Sequence, residues 1–259
     1  MNRTGLAIAL AIAALVGGVF AFYPQLDLKL AALFYDPATH AFLAWNSNWV
    51  EYARDAATLL ITLLVAPAFF AVLGKLIAPR RSMLISGRAA LFLIVTLALG
   101  PGVLANGILK EYSARMRPED VTQLGGTERF TPWWDPRGSC PENCSFIAGE
   151  PSGAFWTLAP AALTPPQWRP VAYAAALLFG VAMGALRMAG GAHFFTDVVF
   201  AGVLMFLVVW AFHGLIYRWW PTRMTDAAIE RALEQAGKAI RDAMAALGRR
   251  VGGGKSQRS

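Results

Sequence analysis

Residues 186–197 read Leu186-Arg-Met-Ala-Gly-Gly-Ala-His-Phe-Phe-Thr-Asp197 and lie between two long apolar runs. Ionisable groups at the edges of membrane-length apolar segments are costly to desolvate, so a cation (Arg187), an imidazole (His193) and a carboxylate this close together indicate a function. If the second run is helical from about His193, then His193 and Asp197 lie at positions i and i+4 on one helix face. The carboxylate can then accept the imidazole N–H hydrogen bond, which fixes the tautomer that a nucleophilic or acid-base histidine requires.

The two flanking runs belong to a chain that is more apolar than an ordinary soluble domain. Of its 259 residues, 56% are hydrophobic and only 15% are charged. A helix needs roughly 20 apolar residues to cross a membrane, and six segments reach or approach this length. They are 4–22, 56–78, 89–110, 150–166, 170–189 and 194–218. The sequence therefore predicts an all-α, polytopic membrane protein whose six transmembrane helices form a bundle.

The first apolar segment has two interpretations. Its basic start, apolar stretch and small residues are also found in signal peptides. We interpret it as an uncleaved helix, because it stays apolar through Phe22 and because six crossings return both termini to one side of the membrane.

Basic residues in the short loops predict the orientation. The loop over 75–88 contains Lys75, Arg80, Arg81 and Arg88 without an acid, and the segment after Trp220 is also rich in Arg and Lys. Both therefore belong in the cytoplasm, together with both termini. The loops over 23–55 and 111–149 mix acids with bases and belong outside. The net charge of +7 is then an orientation and lipid-surface signal, and no basic motif interleaved with aromatic residues indicates nucleic-acid binding.

Three polar clusters fall on the outer face in this orientation. Lys110 and Arg117 follow the third crossing, Glu150 and Ser152 begin the fourth, and residues 187–197 join the fifth to the sixth. Three cations with one histidine and few unpaired acids are typical of a site for a multiply charged oxyanion, of which phosphate is the commonest. The sequence thus predicts a phosphate site at the outer face.

The first and third clusters resemble motifs of the type 2 phosphatidic acid phosphatase superfamily. Its first motif is Lys, six residues, Arg-Pro, and Lys110 with Arg117-Pro118 matches it fully. Its third motif is Arg, five residues, His, three residues, Asp, and is matched by Arg187, His193 and Asp197. The Ser that often precedes this Arg is Leu186 here. The resemblance covers roughly residues 55–218.

The middle motif, usually Pro-Ser-Gly-His, allows two registers. In the literal register, Pro151-Ser152-Gly153 is followed by Ala154, so the acid has been lost. In the other, residues 145–152 align with the extended form Ser-Phe-Pro-Ser-Gly-His-Ala-Ser, so Glu150 replaces the histidine. We favour the second register, because it also matches the flanking residues and because a carboxyl group can transfer the same proton. The segment Asn-Cys-Ser-Phe followed by Gly-Glu resembles a bacterial branch that includes lipid A 4'-phosphatase-like proteins.

The resemblance implies a mechanism. His193 would attack phosphorus and form a phosphohistidine, Asp197 would hold the ring, and Glu150 would protonate the leaving alkoxide. Phosphate binding is assigned to Lys110, Arg117, Arg187 and Ser152. No metal and no cofactor are predicted, because the three cations supply the charge that Mg would otherwise bring.

The implied function is that of a membrane lipid phosphatase in the bacterial inner membrane. It would hydrolyse a phosphate monoester in the periplasmic leaflet, with lipid A as the first substrate candidate. Phosphatidic acid, phosphatidylglycerol phosphate and isoprenyl diphosphate are the other candidates. Two alternatives stay open: a catalytically silent binder of phospholipid headgroups, and a phosphotransferase that passes the phosphoryl group to another lipid.

Two cysteines, Cys140 and Cys144, lie in the predicted outer loop. An oxidising compartment favours a disulfide between them. The alternatives are two free thiols or a zinc site, although no further ligand lies close by in sequence.

The remaining candidate residues receive structural interpretations. Arg115 is interpreted as a snorkelling anchor at the membrane boundary, His40 as a surface histidine and His213 as an interfacial residue. We divide the chain into a membrane domain over 1–220 and a cytoplasmic segment over 221–259. In that segment, Thr225 would cap an amphipathic helix and residues 251–259 would be disordered.

Overall fold

The computed structural model describes residues 2–44 and 47–253, which are mostly helical. Ten α-helices occur in the described residues: α1 (Arg3–Phe22), α2 (Gln25–Ala32), α3 (Asn48–Ile77), α4 (Gly87–Leu97), α5 (Lys110–Tyr112), α6 (Gly149–Trp156), α7 (Leu158–Leu163), α8 (Arg169–Ala189), α9 (Phe195–His213) and α10 (Asp226–Gly253). The antiparallel strands β1 (Tyr35–Asp36) and β2 (Ala41–Phe42) form a short hairpin between α2 and α3.

Five helices of the described chain are long and apolar enough to cross a membrane. They are Arg3–Phe22, Asn48–Ile77, Gly87–Tyr112, Arg169–Ala189 and Phe195–Arg218. These helices correspond to five of the six predicted crossings. The prediction of a helical polytopic membrane protein is confirmed at this level.

The predicted fourth crossing, 150–166, differs from the other five. It consists of two short helices, α6 and α7, which meet at Thr157. The Thr157 hydroxyl donates to the carbonyl of Ala154 at 2.6 Å, and such back-bonding competes with the regular helix ladder. Most side chains of both helices are buried in protein. This apolar segment is therefore part of the protein core, a difference that hydropathy alone does not reveal.

The third crossing contains the predicted break at Gly100-Pro101-Gly102. Here α4 continues as a π-helix over Ala98–Leu109 before the single turn of α5. Proline has no backbone N–H and disturbs the regular ladder, and the Asn106 side-chain amide donates to the Pro101 carbonyl at 2.7 Å. A Cβ on Gly100 would lie 2.9 Å from the Met205 sulfur, so the glycine allows α9 to pack closely.

The chain divides into two compact units. The first comprises Met1–Leu64 and Val95–His213. In it α6 packs against α8, α9 and the π-helix. Two glycines of α8 permit close packing, because a Cβ on Gly180 would collide with Phe155 of α6 and one on Gly184 would collide with Val198 of α9.

The connection between α5 and α6 is ordered in the first unit. Val121 and Leu124 join a buried apolar cluster with Phe42 of the hairpin and Phe194. The Trp133 ring packs tilted against Phe200 of α9, with ring centroids 4.5 Å apart. The loop is thus held against the beginning of α9, where the third motif ends.

The second unit comprises Val65–Ile94 and Gly214–Ser259. Thr225 accepts the Ala228 N–H at 3.2 Å, so the predicted N-cap of α10 is confirmed. Lys75 is buried and pairs with Glu234 at 2.8 Å. Helix α10 continues to Gly253, two residues past the predicted start of the disordered tail. The rest of that predicted tail, 254–259, lies outside the described residues.

Candidate active site

His193 lies in the short connection between α8 and α9 and is 2% exposed. Its Nδ1 is 2.8 Å from the backbone carbonyl oxygen of Ser145. A carbonyl oxygen can only accept a hydrogen bond, so Nδ1 must carry the proton. In the neutral ring the Nε2 lone pair is then unprotonated, which is the form that a nucleophilic histidine requires.

The surroundings of His193 favour the neutral ring. Burial lowers its pKa well below the usual value, and the positive charge of Arg187 lowers it further. Lys110 and Arg117 act in the same direction, while the hydrogen bond to Ser145 opposes them. The neutral, nucleophilic form of the imidazole is therefore the resting form at neutral pH.

The predicted hydrogen bond from His193 to Asp197 is not made. Helix α9 begins at Phe195, so His193 precedes the helix, and its Nδ1 lies 3.9 Å from Asp197 Oδ2. Asp197 is fully buried and instead accepts the Ser145 hydroxyl at 2.6 Å and the Phe194 N–H at 2.8 Å. The carboxylate thus holds Ser145, and Ser145 holds the imidazole.

The interpretation of Arg115 as a snorkelling anchor is wrong. Its side chain is 1% exposed, and its guanidinium bridges the carboxylates of Asp27 and Asp197. The same group donates to the Thr131 carbonyl at 3.0 Å and to the Thr196 hydroxyl at 2.8 Å. Asp27 lies 88 positions earlier in the chain, on α2, so sequence spacing gave no sign of this partner.

Cations of the first and third motifs lie near His193. The positive charges of Lys110, Arg117 and Arg187 each lower the pKa of its imidazole. Arg117 donates to the Asn143 carbonyl at 3.0 Å and has Glu119 at 3.6 Å. The structure therefore brings these predicted phosphate-binding cations together around the histidine.

Glu150 lies between two arginines. Its Oε2 is 2.7 Å from Nε of Arg187, an ion pair without hydrogen-bond alignment. Its Oε1 is 2.7 Å from both Nε and Nη2 of Arg54. The sequence reasoning missed Arg54. It lies near the beginning of α3 at the predicted outer boundary, which is the one feature that could have indicated it.

The two middle-motif registers have different surroundings. Ala154 is 1% exposed and packs in an apolar cluster with Ala57 and Met183, whereas Glu150 contacts two site cations. Ser152, predicted to bind phosphate, is fully buried, and its hydroxyl donates to the Ala148 carbonyl at 2.7 Å. That hydroxyl is used inside α6, so we do not include Ser152 in the proposed phosphate site.

Comparison with known proteins gives the family. The model of the PAP2 superfamily matches residues 89–224. The chain belongs to the PAP2 superfamily. This assignment confirms the resemblance seen in the first and third motifs.

Three curated relatives are named lipid A 4'-phosphatase. One, from Francisella tularensis subsp. novicida (strain U112), is 33% identical over 207 residues, which are 77% of this chain and 90% of the relative. One from Rhizobium leguminosarum is 36% identical over 116 residues, 45% of this chain and 49% of the relative. One from Rhizobium etli is 35% identical over 115 residues, 44% of each protein. The matched region is thus half or less of the two Rhizobium proteins. No solved structure matches the chain.

Main-chain contacts hold the PAP2 motifs together. The N–H of Cys144 donates to the Lys110 carbonyl and that of Ser145 to the Arg115 carbonyl, each at 2.8 Å. Gly191 has φ +73°, and a Cβ there would lie 2.5 Å from the Phe42 ring. Glycine is suited to both demands, because it adopts positive φ without a steric cost.

The remaining histidines and the cysteines lie outside this PAP2 site. His40 is exposed, with the Tyr35 hydroxyl 3.2 Å from its Nδ1. His213 ends α9, sixteen residues or about 24 Å along the helix from Asp197. Cys140 and Cys144 are joined in a disulfide within the loop. In the described residues, no three His, Cys, Asp or Glu side chains group as ligands for a metal ion.

Proposed function

We propose that this protein is a membrane phosphatase that hydrolyses a phosphate monoester of a lipid through a phosphohistidine. The observation that carries the proposal is the state of His193. Its Nδ1–H is bonded to the Ser145 carbonyl, and three nearby cations lower its pKa together with burial. A neutral imidazole among cations is suited to attack a phosphate dianion, whose charge the cations neutralise.

The reaction has two halves. In the first, Nε2 of His193 forms a bond to phosphorus as the bond to the lipid oxygen breaks, and Glu150 gives its proton to the leaving alkoxide. In the second, Glu150 takes a proton from water, the water oxygen attacks phosphorus, and the bond to Nε2 breaks. Inorganic phosphate leaves, and Glu150 is protonated again. Lys110, Arg117 and Arg187 neutralise the phosphoryl oxygens in both halves.

The ion pairs of Glu150 suggest how its role is coupled to substrate binding. Without substrate, the carboxylate is held between Arg54 and Arg187. A phosphate that binds Arg187 competes with Glu150 for this cation. Arg187 would then hold the phosphate, and the Glu150 side chain would be released from this ion pair to approach the leaving oxygen.

The names of the curated relatives support a lipid A phosphate as the first substrate candidate, with hydrolysis at the 4' position. The five apolar spans support a bacterial inner-membrane location. We place the site at the periplasmic leaflet and both termini in the cytoplasm, as the loop charges predict. Phosphatidic acid, phosphatidylglycerol phosphate and isoprenyl diphosphate remain the other substrate candidates.

We further propose that α6 and α7 together make the remaining crossing of a six-crossing bundle. Two observations support this. Glu150 at the start of α6 contacts Arg187 at the end of α8, and α7 packs against α8. Residues 149–163 span about 22 Å as helix, which brings the chain towards the start of α8 on the cytoplasmic side. Burial in protein would let this crossing contain a break.

The test is phosphate release by the purified protein from a panel of these lipids, with a metal chelator present. We expect release of inorganic phosphate and a base-stable, acid-labile phosphoryl-enzyme. A silent binder would retain lipid without either product. A phosphotransferase would form the phosphoryl-enzyme but release phosphate only poorly without a lipid acceptor. Loss of activity with chelator, restored by a divalent cation, would contradict the metal-independent mechanism.

A further inference from the structure

A carboxylate from α2 lies at the beginning of the helix that follows the nucleophile. Asp27 is 1% exposed. Its Oδ1 accepts the backbone N–H of Thr196 at 3.1 Å, and its Oδ2 accepts the Thr196 hydroxyl at 2.6 Å. Backbone N–H groups in the first turn of a helix have no partner within that helix, and a carboxylate there is favourable. Asp27 therefore caps α9 from another helix.

Arg115 connects this cap to the site. It donates to Asp27 Oδ2 at 2.8 Å and also to Asp197, while the face of its guanidinium lies 4.3 Å from the Phe194 ring centroid. A guanidinium is a planar fork, so partners on several sides and one ring face fix its orientation. The Asp27–Arg115 pair is thus a rigid, buried connection from α2 to Asp197.

The connection continues without a gap to the nucleophile. Asp197 accepts the hydroxyl of Ser145, and the carbonyl of Ser145 accepts Nδ1–H of His193. Four consecutive polar contacts therefore lead from Asp27, through Arg115, Asp197 and Ser145, to the imidazole. All five residues are buried.

We propose that Asp27 and Arg115 are positioning residues for His193, so that helix α2 is part of the catalytic apparatus. This inference rests on the proposed function. Replacing a buried ion pair with apolar side chains is often neutral or favourable for stability, so stability alone gives little reason for the pair. The position of His193 does give a reason for the pair, because a displacement of about 1 Å at a reacting group can cost about 10²-fold in rate.

The test is the single-turnover rate of lipid dephosphorylation, measured with full-length enzyme in excess over a range of concentrations that extends to saturation. This rate constant reports the chemistry of the folded molecules, and a partly misfolded preparation does not change it while active enzyme stays saturating. We expect Asp27→Asn to lower it about 10- to 100-fold with little change in the half-saturating enzyme concentration. Asparagine keeps the size and one acceptor for Thr196 but loses the charge that holds Arg115.

The matched control is Asp36→Asn. Asp36 lies in β1, the element that follows α2 in the chain, and accepts hydrogen bonds from Ala38 and Thr39 at 2.9 Å. It is not part of the connection to His193. We expect its rate constant to equal that of the wild type. A wild-type rate constant in Asp27→Asn would overturn the proposal, whatever fraction of the protein is folded.

A paired variant separates positioning from folding. Asp27→Leu with Arg115→Met removes one negative and one positive charge together and leaves Asp197 with its hydrogen bonds from Ser145 and Phe194. We therefore expect it to fold while its single-turnover rate constant falls as in Asp27→Asn. A wild-type rate constant in this variant, or failure of both variants to fold, would overturn the positioning role. Failure of the proposed function is distinguishable, because the wild-type protein itself would then form no phosphoryl-enzyme and release no phosphate.

Discussion

The Nδ1–H of His193 is bonded to the backbone carbonyl of Ser145 at 2.8 Å, while the Asp197 carboxylate is 3.9 Å from the same nitrogen. A backbone carbonyl does not titrate, so it favours the same tautomer of the ring at every pH at which the ring is neutral. Asp197 acts on the ring through Ser145, whose hydroxyl it accepts. Substitutions along this connection should therefore have graded effects on the reaction.

Removal of the imidazole should abolish the reaction. We expect His193→Ala to show no turnover and no phosphoryl-enzyme, because the proposed covalent step needs Nε2 as its nucleophile. The measurement is phosphate release together with trapping of labelled enzyme. His40→Ala is the matched control, since His40 is exposed and lies outside the site; it should keep activity within about twofold. Wild-type turnover in His193→Ala would exclude the phosphohistidine mechanism.

Asp197 and Ser145 should differ in the size of their effects. Ser145→Ala keeps the carbonyl that binds His193 and loses the hydrogen bond that joins Ser145 to Asp197. We expect a loss of about 10- to 100-fold in kcat, because a displacement of about 1 Å at a reacting group can cost about 10²-fold in rate. Asp197→Asn also presents an amide to Arg115, and we expect a loss of about 10²- to 10³-fold in kcat.

The control for this pair is Ser139→Ala. Ser139 is exposed in the same loop and bonds Glu128, so its loss should leave kcat unchanged. A larger effect for Ser145→Ala than for Asp197→Asn would contradict the order of contacts seen here.

The sequence predicted the helices wherever an apolar run is also long. Hydropathy marks length and composition, and five spans follow from these two properties. The segment over 150–166 has the composition of a crossing, but whether its side chains meet lipid or protein depends on packing against α8 and α9. That packing relies on small residues such as Gly180 of α8 and Gly202 of α9, which both lie against Phe155 of α6 and so depend on contacts between separate helices.

The sequence predicted the site where residues act within short motifs. His193, Asp197, Arg187, Lys110 and Arg117 follow from spacing and family resemblance. Arg54 and Asp27 do not, because their partners lie 96 and 88 positions away. The bond from His193 was also misassigned, because the competing acceptor is a backbone carbonyl, which every residue has and no sequence pattern marks.

The pH dependence should follow the lowered pKa of His193. The folded state holds the ring neutral, and the unfolded chain binds a proton below about 6.5. Between 6.5 and the lower folded pKa the unfolded state binds more protons, so the free energy of unfolding should fall as pH falls through this window. Above it, this group should contribute no pH dependence. Denaturant unfolding between pH 5 and 8 measures the effect, with His193→Gln as the comparison. Equal slopes for both proteins would contradict a neutral buried ring.

The cations near His193 should also affect the acid limb of the pH profile, where activity falls as the pH is lowered. Arg117 lowers the pKa of His193, so Arg117→Gln should raise the apparent pKa of the acid limb of kcat/KM, besides reducing activity. A single substrate is used for all variants, which cancels the ionisation of the phosphate ester. Arg137→Gln is the control: Arg137 is largely exposed and pairs with Asp135, so the limb should stay in place. An acid limb that does not move in Arg117→Gln would separate the limb from His193.

The choice between the middle-motif registers is tested at Glu150. Glu150→Gln keeps size and hydrogen bonding but cannot supply the proton, so it should cost about 10²- to 10⁴-fold with a lipid phosphate. The loss should shrink with an aryl phosphate, whose leaving group needs little protonation.

Arg54→Gln should lower activity less than Glu150→Gln does. Its effect should largely vanish in the Glu150→Gln background if Arg54 acts through this carboxylate. Glu142→Gln, an exposed site in the preceding loop, is the control and should leave the rate unchanged.

Position 154 should give the opposite result. Ala154 is buried against Ala57 and Met183, so a histidine there would overpack an apolar cluster at a cost of about 1–3 kcal/mol. We therefore expect Ala154→His to lower the melting temperature and to restore no activity to Glu150→Gln. The literal register predicts a gain instead, because it regards Ala154 as the site of a lost acid. Full activity in Glu150→Gln together with a gain in Ala154→His would reverse the assignment of the register. The proton donor would then lie one helical turn further along α6, and Glu150 would serve only as a partner of Arg54 and Arg187.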